Sequence, residues 1–148
     1  MSTPSLLALA LCTVPLAVTD IRERRLPNRW NLLLAVGGLA GQVFHAIQGH
    51  TFFPLRDAFF AGMVGLVFMM LLHVLSRGGL GMGDVKLVGA LGVVIGDVMA
   101  VGVIVVVAFV MAAVWASLQL LIRRYHRRSR LAFGPFILFG AWLVVALP

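Results

Sequence analysis

The most informative segment of the sequence reads Gly78-Gly79-Leu80-Gly81-Met82-Gly83-Asp84-Val85-Lys86. It holds four glycines, one carboxylate and the only lysine of the chain, and apolar sequence continues on both sides. An acid placed in hydrocarbon costs at least about 2.5 kcal/mol, so it indicates a functional residue. Glycines lack a Cβ atom and allow another backbone to approach closely. The segment therefore predicts an approach loop that runs into a membrane helix at Asp84.

The composition identifies the class of protein. The chain has 148 residues, of which 61% are hydrophobic and only 11% are charged, whereas an average soluble domain carries about 25% charged residues. Because a membrane span takes about 20 residues, the chain has room for five to seven spans and no separate soluble domain. We predict one integral-membrane domain over residues 1–148.

The basic residues predict the orientation of the chain. The formal net charge of +7 alone is compatible with nucleic-acid binding, but the charge is gathered in short loops, which are typical of the cytoplasmic side of a membrane protein. We therefore expect no nucleic-acid partner, and we expect contacts with anionic lipids. Eleven of the twelve basic residues fall in three clusters, namely Arg22, Arg24, Arg25 and Arg29; Arg77 and Lys86; and Arg123, Arg124, Arg127, Arg128 and Arg130.

The apolar segments predict an all-α membrane protein with six transmembrane helices and both termini on the outer side. The fourth helix is expected to be short and to start at the Gly-x-Gly-Asp motif, because Gly96-Asp97 is the natural turn. A piece from Val85 to Ile95 is too short to cross the core unless it starts earlier, which draws Asp84 to the head-group layer. The predicted spans cover residues 4–19, 27–47, 58–75, 85–95, 98–122 and 133–148.

Two acids lie where a cytoplasmic loop meets a span, Asp20 after the first and Asp84 before the fourth. Two carboxyl groups within a few ångströms of each other share a proton, and such a pair can activate water and protonate a leaving amine. Alternatively, each aspartate caps a helix. The spacing alone does not decide between these interpretations.

Three motifs carry a family resemblance. The segment from Asp20 to Asn28 resembles the D-x5-[IL]-P-N element of the type IV prepilin peptidases. Gly81-Met82-Gly83-Asp84 resembles their GxGD motif. Phe133-Gly134-Pro135-Phe136 resembles their third marker, with Ala132 where the family pattern has proline.

The resemblance implies that Asp20 and Asp84 are the catalytic pair of an intramembrane aspartic endopeptidase in the cell (inner, cytoplasmic) membrane. Its partner would be a prepilin or pseudopilin, whose leader is cut at the cytoplasmic side of the substrate's own hydrophobic helix. Larger relatives carry a cytoplasmic loop with paired cysteines and also methylate the new N-terminus. The first loop here is short and Cys12 is the only cysteine, so we expect cleavage without N-methylation and without a cofactor.

Other residues have expected supporting roles. Gly81 and Gly83 would let the substrate pass beside Asp84, whereas a simple reentrant turn is the alternative. Pro27 suits the start of the second span, and Asn28 is predicted to cap it, with a hydrogen bond near Asp20 as the alternative. Lys86 is predicted to point away from Asp84 and to meet lipid phosphate or the membrane interface.

Further patterns predict packing and local contacts. The four histidines have no metal-ligand spacing, so no metal site is expected. Glycines at helical spacing predict close helix contacts, and Arg56 is expected to pair with Asp57. The glycine patterns are Gly37-Gly38-x-x-Gly41, Gly62-x-x-Gly65 and Gly89-x-x-Gly92.

Two other classes of protein compete with the peptidase. A small ion- or proton-coupled transporter also uses membrane acids, but it is expected to show repeat symmetry and an acid near the midplane. The sequence shows no repeat, and both acids lie near one edge. A passive scaffold needs no acid at either place. The sequence leaves the oligomeric state open.

Overall fold

The computed structural model describes residues 3–23, 26–77, 79–121 and 132–146. This part of the chain is all-helical, as predicted. The whole third basic cluster, Arg123–Arg130, and two residues of the first, Arg24 and Arg25, lie outside the described residues. The helices are α1 (Thr3–Glu23), α2 (Asn28–Gly49), α3 (Phe53–Leu75), α4 (Met82–Ile95), α5 (Val98–Leu121) and α6 (Gly134–Ala146).

Four of these helices, α1, α2, α3 and α5, are long and apolar enough to cross a membrane. Helix α4 has 14 residues and α6 has 13, which corresponds to about 20 Å of helix each. Many large apolar side chains on the four long helices are exposed, as expected where lipid replaces water as the solvent. The chain is therefore a multi-pass membrane protein.

Several helices begin or end beyond the predicted spans. Helix α1 continues to Glu23 with Pro15 in its interior. Helix α3 begins at Phe53 rather than near residue 58, because Pro54 occupies its first turn, where the missing N–H leaves no bond unmade. Helix α4 begins at Met82, within the Gly-x-Gly-Asp motif and three residues before the predicted span 85–95, because Gly81 adopts an extended conformation and serves as its N-cap.

The predicted turn between α4 and α5 is confirmed. Gly96 ends α4 in the left-handed conformation, with a φ of 71°, which glycine adopts without strain. The Met99 N–H then donates a 2.8 Å hydrogen bond to Oδ1 of Asp97. Near the start of α3, the predicted ion pair between Arg56 and Asp57 is also present, at 2.9 Å.

Helix α4 lies at the centre of the bundle and contacts all five other helices. Its closest neighbour is α3, and glycines let the two backbones meet. A Cβ atom on Gly92 would lie 2.5 Å from the carbonyl oxygen of Ala61, and one on Gly62 would lie 3.1 Å from that of Gly89. The glycine patterns thus mark close helix contacts, as predicted.

Helix α2 runs parallel to α4 and is bonded to it near both ends through buried amide side chains. Near the start of both helices, Asn31 Nδ2 donates a 3.3 Å hydrogen bond to the carbonyl of Gly83. Near their ends, Gln42 Nε2 donates to the carbonyls of Val94, at 3.0 Å, and Val93, at 3.3 Å. The two amides are eleven positions apart on α2, and so are Gly83 and Val94 on α4, so the bonds hold the two helices in one register.

Candidate functional site

Asp20 lies in the last turn of α1, and its side chain is only 5% exposed. Its Oδ2 accepts a 2.8 Å hydrogen bond from the backbone N–H of Gly134, the first residue of α6. The first N–H groups of a helix have no partner within the helix and attract anions. The start of α6 therefore provides a favourable site for a negative charge on Asp20.

Asp84 lies in the first turn of α4 and is 7% exposed. Its carboxyl group accepts a hydrogen bond from the N–H of Gly81 and interacts electrostatically with Asp20. Its Oδ1 is buried and has no hydrogen-bond partner among the described residues. The structure therefore brings both candidate acids together at the same end of the bundle.

The helix-cap interpretation of the acids holds in part. Asp84 occupies the third helical position and bonds back to the N–H of the N-cap residue Gly81, as one half of a capping box does. Asp20 caps no end of its own helix; it bonds to the start of a different one. The cap therefore gives one carboxyl oxygen of Asp84 a hydrogen-bond partner and leaves the other, Oδ1, without one.

Leu26 fills the space beside the two acids. A Cβ atom on Gly83 would lie 2.8 Å from Cβ of Leu26, and one on Gly134 would lie 3.3 Å from Cδ2 of the same side chain. A Cβ on Gly81 would lie 2.9 Å from Oδ2 of Asp84. At both glycines of the Gly-x-Gly-Asp motif, close packing thus leaves no room for a Cβ atom.

The predicted cap by Asn28 is wrong. Pro27 is the N-cap residue of α2, with a φ of −65° and a ψ of 130°, and no side-chain hydrogen bond caps the helix. Because proline takes the cap position, Asn28 is already the first helical residue. Its Oδ1 instead accepts a 3.0 Å hydrogen bond from Nζ of Lys86 on α4.

An apolar groove of about 480 Å³ opens between α2, α3 and α4. Asn28, Asn31 and Lys86 line its polar part, and its other lining residues are apolar. Neither Asp20 nor Asp84 lines it. The groove is therefore a neighbour of the paired acids rather than the space between them.

Three residues contribute to the site in ways that the sequence did not predict. Gly134 acts through its backbone N–H, Leu26 through its volume, and Asn31 through a bond to the residue before Asp84. The third motif drew attention to Gly134 but not to its contact with Asp20. No group of three or more potential metal ligands occurs in the described ranges.

The geometry allows one kind of chemistry in particular. Two buried carboxyl groups interact with each other. One is bonded to a helix N-terminus and the other retains a free oxygen. Such a pair can hold one proton and one charge, and therefore can supply both a general base and a general acid.

Comparison with known proteins gives a consistent result. The sequence model of the type IV leader peptidase family matches residues 6–117 of this chain. The chain is 29% identical over 148 residues to the prepilin leader peptidase/N-methyltransferase of Aeromonas salmonicida, covering 95% of this chain and 49% of that protein. Proteins of the same name match from Bacillus subtilis, at 28% identity over 144 residues (95% and 54%), and Dickeya chrysanthemi, at 33% over 141 (90% and 48%).

The chain spans about half the length of the curated relatives it matches. No solved structure matches it.

Proposed function

This chain belongs to the type IV leader peptidase family, and on that premise we propose that it is an aspartic endopeptidase that removes the leader from prepilin-like proteins. The observation that carries the proposal is the pair of buried carboxyl groups, Asp20 and Asp84, at one end of the bundle. The names of the relatives supply the class of substrate. They do not favour the transporter alternative.

In the proposed reaction the two acids divide the work. The N–H of Gly134 supports a negative charge on Asp20, so Asp20 is the base that takes a proton from water as the water attacks the scissile carbonyl. Asp84 has a buried oxygen without a donor, so it holds the shared proton and delivers it to the leaving amine. The peptide bond breaks, one water is consumed, and the proton taken by Asp20 restores the starting state when it passes to Asp84.

We propose that the substrate enters as an extended strand along Gly81 and Gly83, next to Asp84, and that Leu26, which packs against Gly83, moves aside to admit it. An unfolded leader segment fits this role, because a helix would hide its scissile carbonyl. Pro27 supports the site as the N-cap residue of α2, and Asn28 and Lys86 add a weak, exposed hydrogen bond between α2 and α4 beside it. No metal or cofactor takes part in this mechanism.

We further propose that residues 1–148 form one membrane domain with six spans and both termini outside. The parallel course of α2 and α4 supports this order, because helices two apart run the same way when spans alternate. The acids then lie at the cytoplasmic face of the inner membrane, near the basic residues Arg22 and Arg29. Anionic lipids and the hydrophobic helix of the prepilin are the expected partners there.

We propose cleavage without N-methylation for this chain. Helix α1 ends at Glu23 and α2 begins at Asn28, which leaves no room between them for an inserted loop, and Cys12 is buried in α1. Mass spectrometry of the processed pilin N-terminus tests this point. A methylated product would contradict it.

The function is tested by co-expressing a candidate prepilin with the wild-type chain and with Asp20→Asn or Asp84→Asn variants. Both variants are expected to leave the leader uncut, because an amide serves neither as base nor as acid. Asp97→Asn is the matched control, since Asp97 is exposed and caps α5 at the other end of α4. Normal processing by either site variant would overturn the proposal, and selective loss of ion flux would favour a transporter.

A further inference from the structure

Helix α2 carries two buried amide side chains that bond to α4 in similar ways. Asn31 is 4% exposed and bonds to the carbonyl of Gly83, and Gln42 is 6% exposed and bonds to the carbonyls near the end of α4. Asn31 therefore acts on the residue directly before Asp84. Gln42 acts at the end of α4 that is farther from both acids.

The two amides differ in one respect. Oδ1 of Asn31 is buried without a hydrogen-bond partner in the described part of the chain, and Oδ1 of Asp84 is the other side-chain atom in this condition. Gln42 leaves no such atom. Leaving a buried oxygen unpaired is costly, and most buried polar groups in folded proteins are paired.

The position of the carbonyl acceptors also differs. Gly83 lies in the first turn of α4, where carbonyl groups already have acceptor roles within the helix. Val93 and Val94 lie in the last turn, where carbonyl groups have no partner within the helix. The Gln42 bonds therefore satisfy carbonyl groups that have no partner within α4. The Asn31 bond instead joins a carbonyl group that already has a partner within the helix.

We propose that Asn31 is a positioning residue for the reaction, one that fixes the Gly83 carbonyl and thereby aligns the Asp84 carboxyl with Asp20. This inference rests on the proposed peptidase function. It gives a reason for the presence of a buried amide with an unpaired oxygen at this place. A contact that served stability alone would resemble that of Gln42.

The two amides permit a paired experiment with nearly isosteric substitutions. Asn31→Leu removes the bond to Gly83 and also the unpaired buried oxygen, so the melting temperature in detergent is expected to stay unchanged or to rise. Gln42→Met leaves the carbonyls of Val93 and Val94 unpaired, so the melting temperature is expected to fall.

The expected effects on prepilin cleavage are opposite to those on the melting temperature: Asn31→Leu impairs cleavage, whereas Gln42→Met does not. For Asn31→Leu, kcat is expected to fall on the order of 100-fold, because a misplacement of about 1 Å at a catalytic group has this effect. KM is expected to change little, since substrate binding is not altered. The limbs of the pH profile are expected to shift, because the distance between the carboxyl groups changes. Gln42→Met is expected to keep both kcat and the pH profile.

The outcomes separate this inference from the proposed function. If Asp84→Asn abolishes cleavage while Asn31→Leu keeps wild-type kcat and pH profile, the positioning role is wrong and the peptidase function stands. If Asn31→Leu and Gln42→Met lower kcat and melting temperature together, Asn31 is merely structural. If the wild-type chain cleaves no prepilin under any condition, both proposals fail.

Discussion

The backbone N–H of Gly134 donates a 2.8 Å hydrogen bond to Oδ2 of Asp20, a residue 114 positions earlier in the chain. The bond ties the start of α6 to the end of α1. It also brings the positive end of the α6 dipole to the carboxyl group that we propose as the base. A motif near the end of the sequence thus acts on an acid near its beginning.

We predict that Gly134→Ala strongly impairs cleavage without unfolding the protein. The added Cβ would lie 2.7 Å from Oδ2 of Asp20 and 3.1 Å from its Cγ, so the carboxyl group must move. A misplacement of about 1 Å at a catalytic group lowers the rate on the order of 100-fold, so we expect cleavage to fall by about tenfold or more. Gly102→Ala is the control, because a Cβ at Gly102 meets no atom within 4 Å. Wild-type kcat in Gly134→Ala would contradict the proposed role of this contact.

We predict a graded loss of stability along the α3–α4 contact. The Cβ of Gly92→Ala would meet the Ala61 backbone at 2.5 Å, which cannot yield without separating the helices. In Gly89→Ala the nearest atoms are Cβ and Cδ1 of Leu66, at 3.2 and 3.3 Å, which is a milder overlap than that with the Ala61 backbone. Overpacking typically costs about 1–3 kcal/mol, and we expect Gly92→Ala to exceed Gly89→Ala. Thermal unfolding in detergent measures the difference, and equal melting temperatures would be the contrary result.

We predict that the hydrogen bond between Lys86 and Asn28 contributes little. Both side chains are exposed, and exposed charged contacts stabilise proteins by less than about 1 kcal/mol. Lys86→Met and Asn28→Ala should therefore each keep cleavage within about threefold of wild type. A double-mutant cycle on unfolding measures their coupling. A coupling energy well above this limit would assign the pair a larger role.

We predict a bell-shaped dependence of kcat/KM on pH. In acid, Asp20 takes up a proton and no longer accepts one from water, so the rate falls. In alkali, Asp84 loses its proton and no longer protonates the leaving amine, so the rate falls again. Steady-state cleavage of a detergent-solubilised prepilin measures the profile, with Asp97→Asn as the variant expected to match wild type. A rate that rises steadily with pH would argue against a shared proton.

The parts of the structure that depend on composition and spacing were predictable. Apolar runs gave the helices, and the pattern of helical glycines marked the α3–α4 contact. The turn at Gly96 followed from glycine's tolerance of a positive φ, and the Arg56–Asp57 pair followed from adjacency. That Asp20 and Asp84 lie at the same end of the bundle was expected from the short basic loops beside them, whereas their pairing was predicted only from the family resemblance.

The parts that depend on the choice among several partners were not predictable. Asn28 was expected to cap α2, but Pro27 already holds the conformation of an N-cap, and the amide bonds to Lys86 instead. Every residue except proline has a backbone N–H, so nothing in the letter pattern distinguishes that of Gly134 as the partner of Asp20. Asn31 and Gln42 are ordinary amides in a helix until the register of α2 against α4 is known.

The glycine contact between α3 and α4 has a consequence for how the protein enters the bilayer. A helix of 14 residues that includes Asp84 and Lys86 has little tendency to partition into lipid alone. Helix α3, with 23 mostly apolar residues, inserts readily, and small residues let a following helix pack closely against it. We therefore infer that α3 and α4 insert as one hairpin during synthesis. Asp84 then enters the membrane only together with α3.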